Sequence, residues 1–65
     1  MTIGKIIRTR RQELRLTQQT LADMSGVSVR MLKSIEGDYA NPSIKTVEKL
    51  LRPLGMQLSV KERGE

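Results

Sequence analysis

Apolar residues recur at helical spacing along most of this chain and switch to alternation from Met56 onward. Ile3, Ile6, Ile7 and Leu14 fall at spacings of three, four and seven, which predicts a first helix over Thr2 to Arg15. Leu16 follows as the apolar residue just before Thr17, where it can pack back onto the next helix. Thr17 is a suitable N-cap, because its hydroxyl can accept a bond from an otherwise unpaired early N–H. Leu21, Ala22 and Met24 give the second helix its apolar side, and Gly26 stands where a left-handed residue closes it. Val27 plugs the turn and Ser28 caps a third helix over Val29 to Glu36, with Leu32 and Ile35 facing inward and Gly37 ending it. After a loop of turn-forming residues from Asp38 to Pro42, Ser43 caps a fourth helix. Its stripe is Ile44, Val47, Leu50, Leu51 and Leu54, with Pro53 helping to stop it before Gly55.

Cap, helix, glycine turn, cap, helix within the stretch from Thr17 to Gly37 is a helix-turn-helix pattern. In the third helix Leu32 and Ile35 are committed to the core, so Ser28, Val29, Arg30, Lys33 and Ser34 form the outward face. A helix entering a major groove by its N-terminus would present these side chains to base edges. Arg30 can be bidentate to a guanine, Val29 can touch a thymine methyl, and Ser34 can hydrogen-bond with little selectivity. Lys33 can reach a base or a phosphate, and Met31 belongs either to the core edge or to the contact surface. The plain reading of that polar face is a solvated surface with no ligand.

From Met56 to Lys61 the chain reads MQLSVK, with Met56, Leu58 and Val60 on one face and Gln57, Ser59 and Lys61 on the other. That is strand periodicity, and no other stretch of the chain reads as a strand. A lone strand leaves a row of N–H and C=O groups unpaired, and the simplest satisfaction is the same strand from a second copy, antiparallel across a two-fold axis. The expected fold is therefore mainly α: residues 1–55 as a four-helix domain, 56–61 as a strand that dimerises the protein through Met56, Gln57, Leu58, Ser59 and Val60, and 62–65 as a polar tail. The rival for the C-terminus is a frayed or helical end.

Composition narrows what such a domain does. Sixty-five residues with one Tyr, no Phe and no Trp make a single small aliphatic core, and the absence of Cys leaves no disulfide or thiolate metal site to strengthen it. A formal charge of +5 and a pI near 10.3 point to an anionic partner, nucleic acid ahead of membrane or acidic protein. There is no His, and no pair of carboxylates is placed for acid–base work, so the chain reads as a non-enzyme without metal or cofactor. No long apolar run or signal-peptide pattern is present, which makes the expectation a soluble, cytoplasmic protein without a membrane partner.

The first helix carries Lys5, Arg8, Arg10, Arg11 and Arg15 against one acid, Glu13, either as a solvated face or as phosphate contacts. Arg8 and Arg15 are the candidates there, joined by Thr17, Gln18 and Gln19 at the second helix's N-terminus, where free N–H groups and the dipole favour an anion. The two glutamines read equally well as good helix formers. Tyr39 either packs on its loop or bonds a phosphate. Arg11 differs: four residues after Ile7 and three before Leu14 it points inward, and a buried guanidinium needs a carboxylate, for which Glu36 is the natural partner.

Residues Ile7 to Leu54 resemble the Cro/Xre-type helix-turn-helix family of bacterial and phage repressors. The resemblance is carried by the basic helix ending in Arg11, by LTQQTLA, by Gly26-Val27-Ser28, by Leu32 with Ile35-Glu36, and by NPSIKTVEKL before a terminal LG. It covers about three quarters of the chain and implies a lambda-repressor-like fold on a pseudo-palindromic double-stranded operator. It further implies Gln18 on backbone phosphate, bases read from Val29, Arg30 and Ser34, and an internal Arg11–Glu36 pair. Members often have a polar residue at the position of Val29 and continue into a fifth helix after LG. This chain instead turns to MQLSV, an ending that resembles the antitoxins of HipA/HipB-type modules, whose C-terminal strands pair across the dimer. That second resemblance implies a repressor of its own operon with a HipA-like kinase toxin as partner. The alternatives are a stand-alone phage-like repressor and a protein-interaction module in which DNA is incidental.

Overall fold

The computed structural model describes residues 2–62. Four helices follow in order: α1 over Ile3–Glu13, α2 over Gln18–Ser25, α3 over Val29–Glu36 and α4 over Ile44–Leu51, the last tightening into a 3-10 turn over Arg52–Leu54. Each helix starts on a hydroxyl. Thr2, Thr17, Ser28 and Ser43 all have extended backbone and accept from the N–H three residues on, at 3.0 to 3.1 Å. Such a cap typically contributes about 1 kcal/mol, which matters in helices of eight residues that would not hold alone in water.

The C-termini explain where the helices stop. At the end of α1 the Leu16 N–H reaches the Arg11 carbonyl and the Arg15 N–H reaches Gln12, both at 3.0 Å, with Arg15 left-handed at φ 58°. At the end of α3 the Tyr39 N–H bonds the Ser34 carbonyl at 2.8 Å and the Asp38 N–H bonds Ile35 at 3.1 Å, with Asp38 at φ 62°. After the 3-10 turn, Met56 bonds Leu51 and Gly55 bonds Arg52, both at 3.0 Å, with Gly55 left-handed at φ 71°. All three are the paired closure that satisfies the last carbonyls of a helix by reversing the backbone at one residue. Satisfying those carbonyls offsets the roughly 1–2 kcal/mol that a left-handed L-residue costs.

One boundary is thereby corrected: α1 ends at Glu13 and not at Arg15. α3 ends at Glu36 with Gly37 as its cap, as expected, while the backbone reverses one residue later at Asp38, since Gly37 has φ −87°. A Cβ at Gly37 would press on the ring of Tyr39, which is exposed and free to move aside.

The core consists of Ile7, Leu21, Ala22, Val27, Leu32, Ile35, Val47, Leu50, Leu51 and Leu54, with Ile3, Leu16 and Ala40 packed against it. α3 packs on both α1 and α2, while α4 and the 3-10 turn pack on α2. At Gly4 the backbones of α1 and α3 come so close that a Cβ would collide with the Ile35 carbonyl. Three residues expected on apolar stripes are instead exposed: Leu14, Met24 and Ile44, the last by 72%. Leu14 lies past the end of α1, Met24 sits on the flank of the stripe formed by Leu21 and Ala22, and Ile44 opens α4 one turn beyond Val47, where the core ends.

No strand is formed among the described residues, and 56–62 carry neither strand nor helix. The strand expected over Met56 to Lys61 needs a ladder, and the other described segments of this chain are helices and turns. The side chains of the segment are exposed accordingly, Val60 by 98%. Of the polar tail at 62–65, all but Glu62 lies outside the described residues.

Candidate nucleic-acid interface

The α2–turn–α3 unit is set by one left-handed glycine and one buried side chain. Gly26, at φ 75°, donates its N–H to the Ala22 carbonyl at 2.9 Å, and Val27 tucks into the core behind it. α3 then turns Leu32 and Ile35 inward, leaving Ser28, Arg30 and Lys33 exposed and Val29 and Ser34 half-buried. Met31 is 43% exposed and belongs to the surface. The Ser28 oxygen accepts from the Met31 N–H at 3.1 Å, so its O–H remains free to donate.

A buried ion pair fastens this unit to α1. Arg11 donates from Nε to Glu36 Oε2 at 2.8 Å and from Nη2 to Oε1 at 2.9 Å, and its Nη1 reaches the Leu16 carbonyl at 2.8 Å. Gln18 Nε2 adds a bond to Glu36 Oε1 at 3.1 Å. Two charges taken out of water are tolerated only when the remaining donors and acceptors are filled. Among the described residues no buried side-chain polar atom lacks a partner. The pair therefore locks α1, the start of α2 and the end of α3 into one orientation.

Around the pair lies an open depression of about 360 Å³ lined by Arg8, Arg11, Gln18, Lys33, Glu36 and Gly37. Here the expected phosphate contacts Arg8 and Gln18 meet Lys33, which the sequence grouped with the base readers. Arg8, Arg15, Arg30 and Lys33 are exposed, and neither ion pair among the described residues uses them. Arg15 occupies the strained left-handed position between α1 and α2.

Two other expected contacts have their side chains engaged. The Thr17 hydroxyl accepts from the Thr20 N–H and donates to the Thr20 hydroxyl at 2.9 Å, and Gln19 Nε2 bonds Asp23 at 2.9 Å. What the start of α2 offers is its backbone, since the first N–H groups of a helix have no intrahelical acceptor. Gln18 keeps a second amide N–H beyond the one given to Glu36. Tyr39 is 89% exposed, with one edge of its ring against Gly37 at the rim of the depression.

Arg10 is the residue whose role the sequence did not resolve. Its Nε donates to the Leu54 carbonyl at 3.1 Å and its Nη1 pairs with Glu13 at 3.3 Å, so it ties α1 to the 3-10 turn. The available signal was the helix end itself, whose last carbonyls attract basic side chains.

On another face, Met56, Gln57 and Leu58 join Glu48, Leu51 and Arg52 around a groove of about 280 Å³, while Ser59 and Val60 stand clear of it. Among the described residues no cluster of His, Cys, Asp or Glu could hold a metal, and no helix is long and apolar enough to cross a membrane.

Comparison with known proteins follows the same outline. A family model described as Helix-turn-helix matches residues 7–60. An immunity repressor protein of Bacillus phage phi105 is 42% identical over 59 residues, covering 91% of this chain and 41% of the relative. The HTH-type transcriptional regulator PuuR of Escherichia coli K12 is 38% identical over 56 residues, 86% of this chain and 30% of its own length. A multiprotein-bridging factor 1 of Debaryomyces hansenii is 37% identical over 65 residues, all of this chain and 43% of its own. The chain thus spans less than half the length of these relatives. No solved structure matches it significantly.

Proposed function

The chain belongs to the helix-turn-helix family, and from that premise we propose that it is a sequence-specific DNA-binding transcriptional repressor acting as a homodimer. The observation that carries the reading is the meeting of Arg8 from α1, Gln18 from α2 and Lys33 from α3 around one open depression beside the exposed face of α3. Arg8, Lys33 and the Gln18 amide, with Arg15 and the free backbone N–H groups at the start of α2, hold backbone phosphates. Phosphate contacts fix the register of a protein on the duplex, while bases are read from the groove. Val29, Arg30 and Ser34 read bases, Arg30 as the bidentate partner of a guanine. Ser28 donates its hydroxyl to the same surface, and Tyr39 adds a phosphate contact at the rim.

Residues 1–55 are the DNA-binding unit and residues 56–61 the pairing strand. Two copies joined there place their α3 helices about 34 Å apart, one turn of B-DNA, on a pseudo-palindrome. The finer reading, an antitoxin that represses its own operon and binds a HipA-like kinase toxin, rests on the resemblance of about seven residues, Leu54 to Val60, to the ending of such antitoxins. The likeness to a phage immunity repressor favours the stand-alone repressor of the same class.

The test compares binding to the DNA just upstream of the gene with binding to a scrambled duplex of equal length at one near-physiological salt concentration. A preference of roughly a thousandfold or more is the result expected of a repressor. Equal, salt-sensitive binding to both duplexes overturns the base-reading role. A second reading, a protein-interaction module, is favoured by the match of the whole of this chain to 43% of a multiprotein-bridging factor and comes forward on that outcome.

A further inference from the structure

Glu36 is an acid in the wall of a depression whose other polar side chains, Arg8, Arg11, Gln18 and Lys33, are all donors to an anion. Its Oε2 accepts from Arg11 Nε at 2.8 Å, and its Oε1 accepts from both Arg11 Nη2 at 2.9 Å and Gln18 Nε2 at 3.1 Å. Packing alone does not ask for this group, because an apolar pair of similar volume is often as stable as a buried ion pair or more so. What distinguishes Glu36 from an apolar residue is its hold on an amide. A carboxylate in an ion pair accepts and does not donate, so Gln18 must turn its NH2, and not its carbonyl, toward Glu36. One N–H is thereby used, and the other stays free on a side chain that lines the depression with Arg8 and Lys33.

We propose that Glu36 is a positioning residue for DNA: it sets the Gln18 amide, before a duplex arrives, with an N–H and not an oxygen toward the phosphate. Arg11 cancels the charge that an acid would otherwise hold beside that phosphate. The inference rests on the phosphate role of Gln18 proposed above and adds what prepares it. An unanchored glutamine gives up its side-chain freedom only on binding. In one of its two amide orientations it would also meet the phosphate with its carbonyl, oxygen against oxygen. The bond to Glu36 removes both penalties in the free protein. Arg11 lies in α1, Gln18 in α2 and Glu36 in α3, so the donor is aimed only when all three helices are packed. Gln19 provides the contrast. Its Nε2 goes to Asp23 one turn along the same helix, a local contact that is blind to α1 and α3.

A double-mutant cycle in the full chain separates aiming from folding. Gln18→Ala should weaken binding to the upstream and scrambled duplexes alike, by about two- to tenfold per bound copy, the worth of one hydrogen bond. On the apolar body, Arg11→Met with Glu36→Leu, the same Gln18→Ala should cost less than about twofold, since the amide is no longer aimed. If Glu36 only holds the helices together, Gln18→Ala costs the same on both bodies, and that result overturns the proposal. So does a Gln18→Ala that costs nothing on the wild-type body. A second measurement needs no variant: nitrogen-15 relaxation of the side-chain amides in the DNA-free chain. Gln18 should be ordered there, while Gln12 and Gln57, both exposed, are mobile. A Gln18 amide as mobile as theirs overturns the proposal, whether or not the apolar body folds. A wild-type chain that binds neither duplex overturns the DNA reading and this inference together. A chain that binds DNA but shows equal Gln18→Ala costs on the two bodies overturns the inference alone and leaves that reading standing.

Discussion

Between Thr2 and Gly55 every helix begins on a side-chain cap, and ten apolar residues are buried against one another. Between Met56 and Glu62 no side chain is buried and no backbone ladder is formed, although the apolar pattern is as regular. The difference lies in where each element finds its hydrogen bonds. A helix satisfies its backbone within itself, so a helical period together with its caps is close to a sufficient condition for structure. A strand satisfies its backbone only against a neighbour. The alternation of MQLSV therefore states a requirement that one copy of the chain leaves open.

That contrast can be tested by substitution, beginning where the body is most tightly determined. Glu36→Ala should lower the unfolding free energy by about 3–5 kcal/mol in urea denaturation, because it strands the Arg11 guanidinium in a buried site. The double change Arg11→Met with Glu36→Leu should recover most of that loss. If it does not, the pair carries more than the cost of its own desolvation. A cap comes next: Ser43→Ala, far from the proposed DNA face, should cost about 1 kcal/mol in the same assay.

Arg15→Gly should act in the opposite sense. It relieves a left-handed L-residue and should raise stability by up to about 1 kcal/mol, while weakening binding to all DNA sequences alike. A gain in stability without loss of binding would remove Arg15 from the phosphate set. The smallest effect belongs to the tail. At concentrations dilute enough to keep the chain single, a version ending at Leu58, which keeps the Met56 closure on Leu51, should unfold within about 0.5 kcal/mol of the full chain, as changes remote from any core contact do. A larger loss would mean the tail is part of the body after all.

The helices were legible because their signals are local. Thr17, Ser28 and Ser43 stand immediately before apolar periods, and Gly26 stands immediately after one. The Arg11–Glu36 contact was legible for a related reason: a cation at an inward position of one helix can be answered only by an acid at an inward position of another. The reversals at Arg15 and Asp38 were not, since neither residue type demands a left-handed conformation and the carbonyls that impose it are invisible in sequence. Lys33 was assigned to the groove-facing set by its place on α3. Its position beside Arg8 and Gln18 depends on how α1 crosses α3, and that angle is set by packing at Gly4 and Ile35.

The placement of Tyr39 has an optical consequence. The chain has no Phe and no Trp, so its near-ultraviolet absorption and emission come from one ring, and that ring sits against Gly37 at the rim of the cationic depression. The aliphatic core is silent at those wavelengths and its loosening would pass unseen. A polyanion settling among Arg8, Gln18 and Lys33 should change the surroundings of the single chromophore beside Gly37, so occupancy is expected to be readable from one tyrosine without an added label.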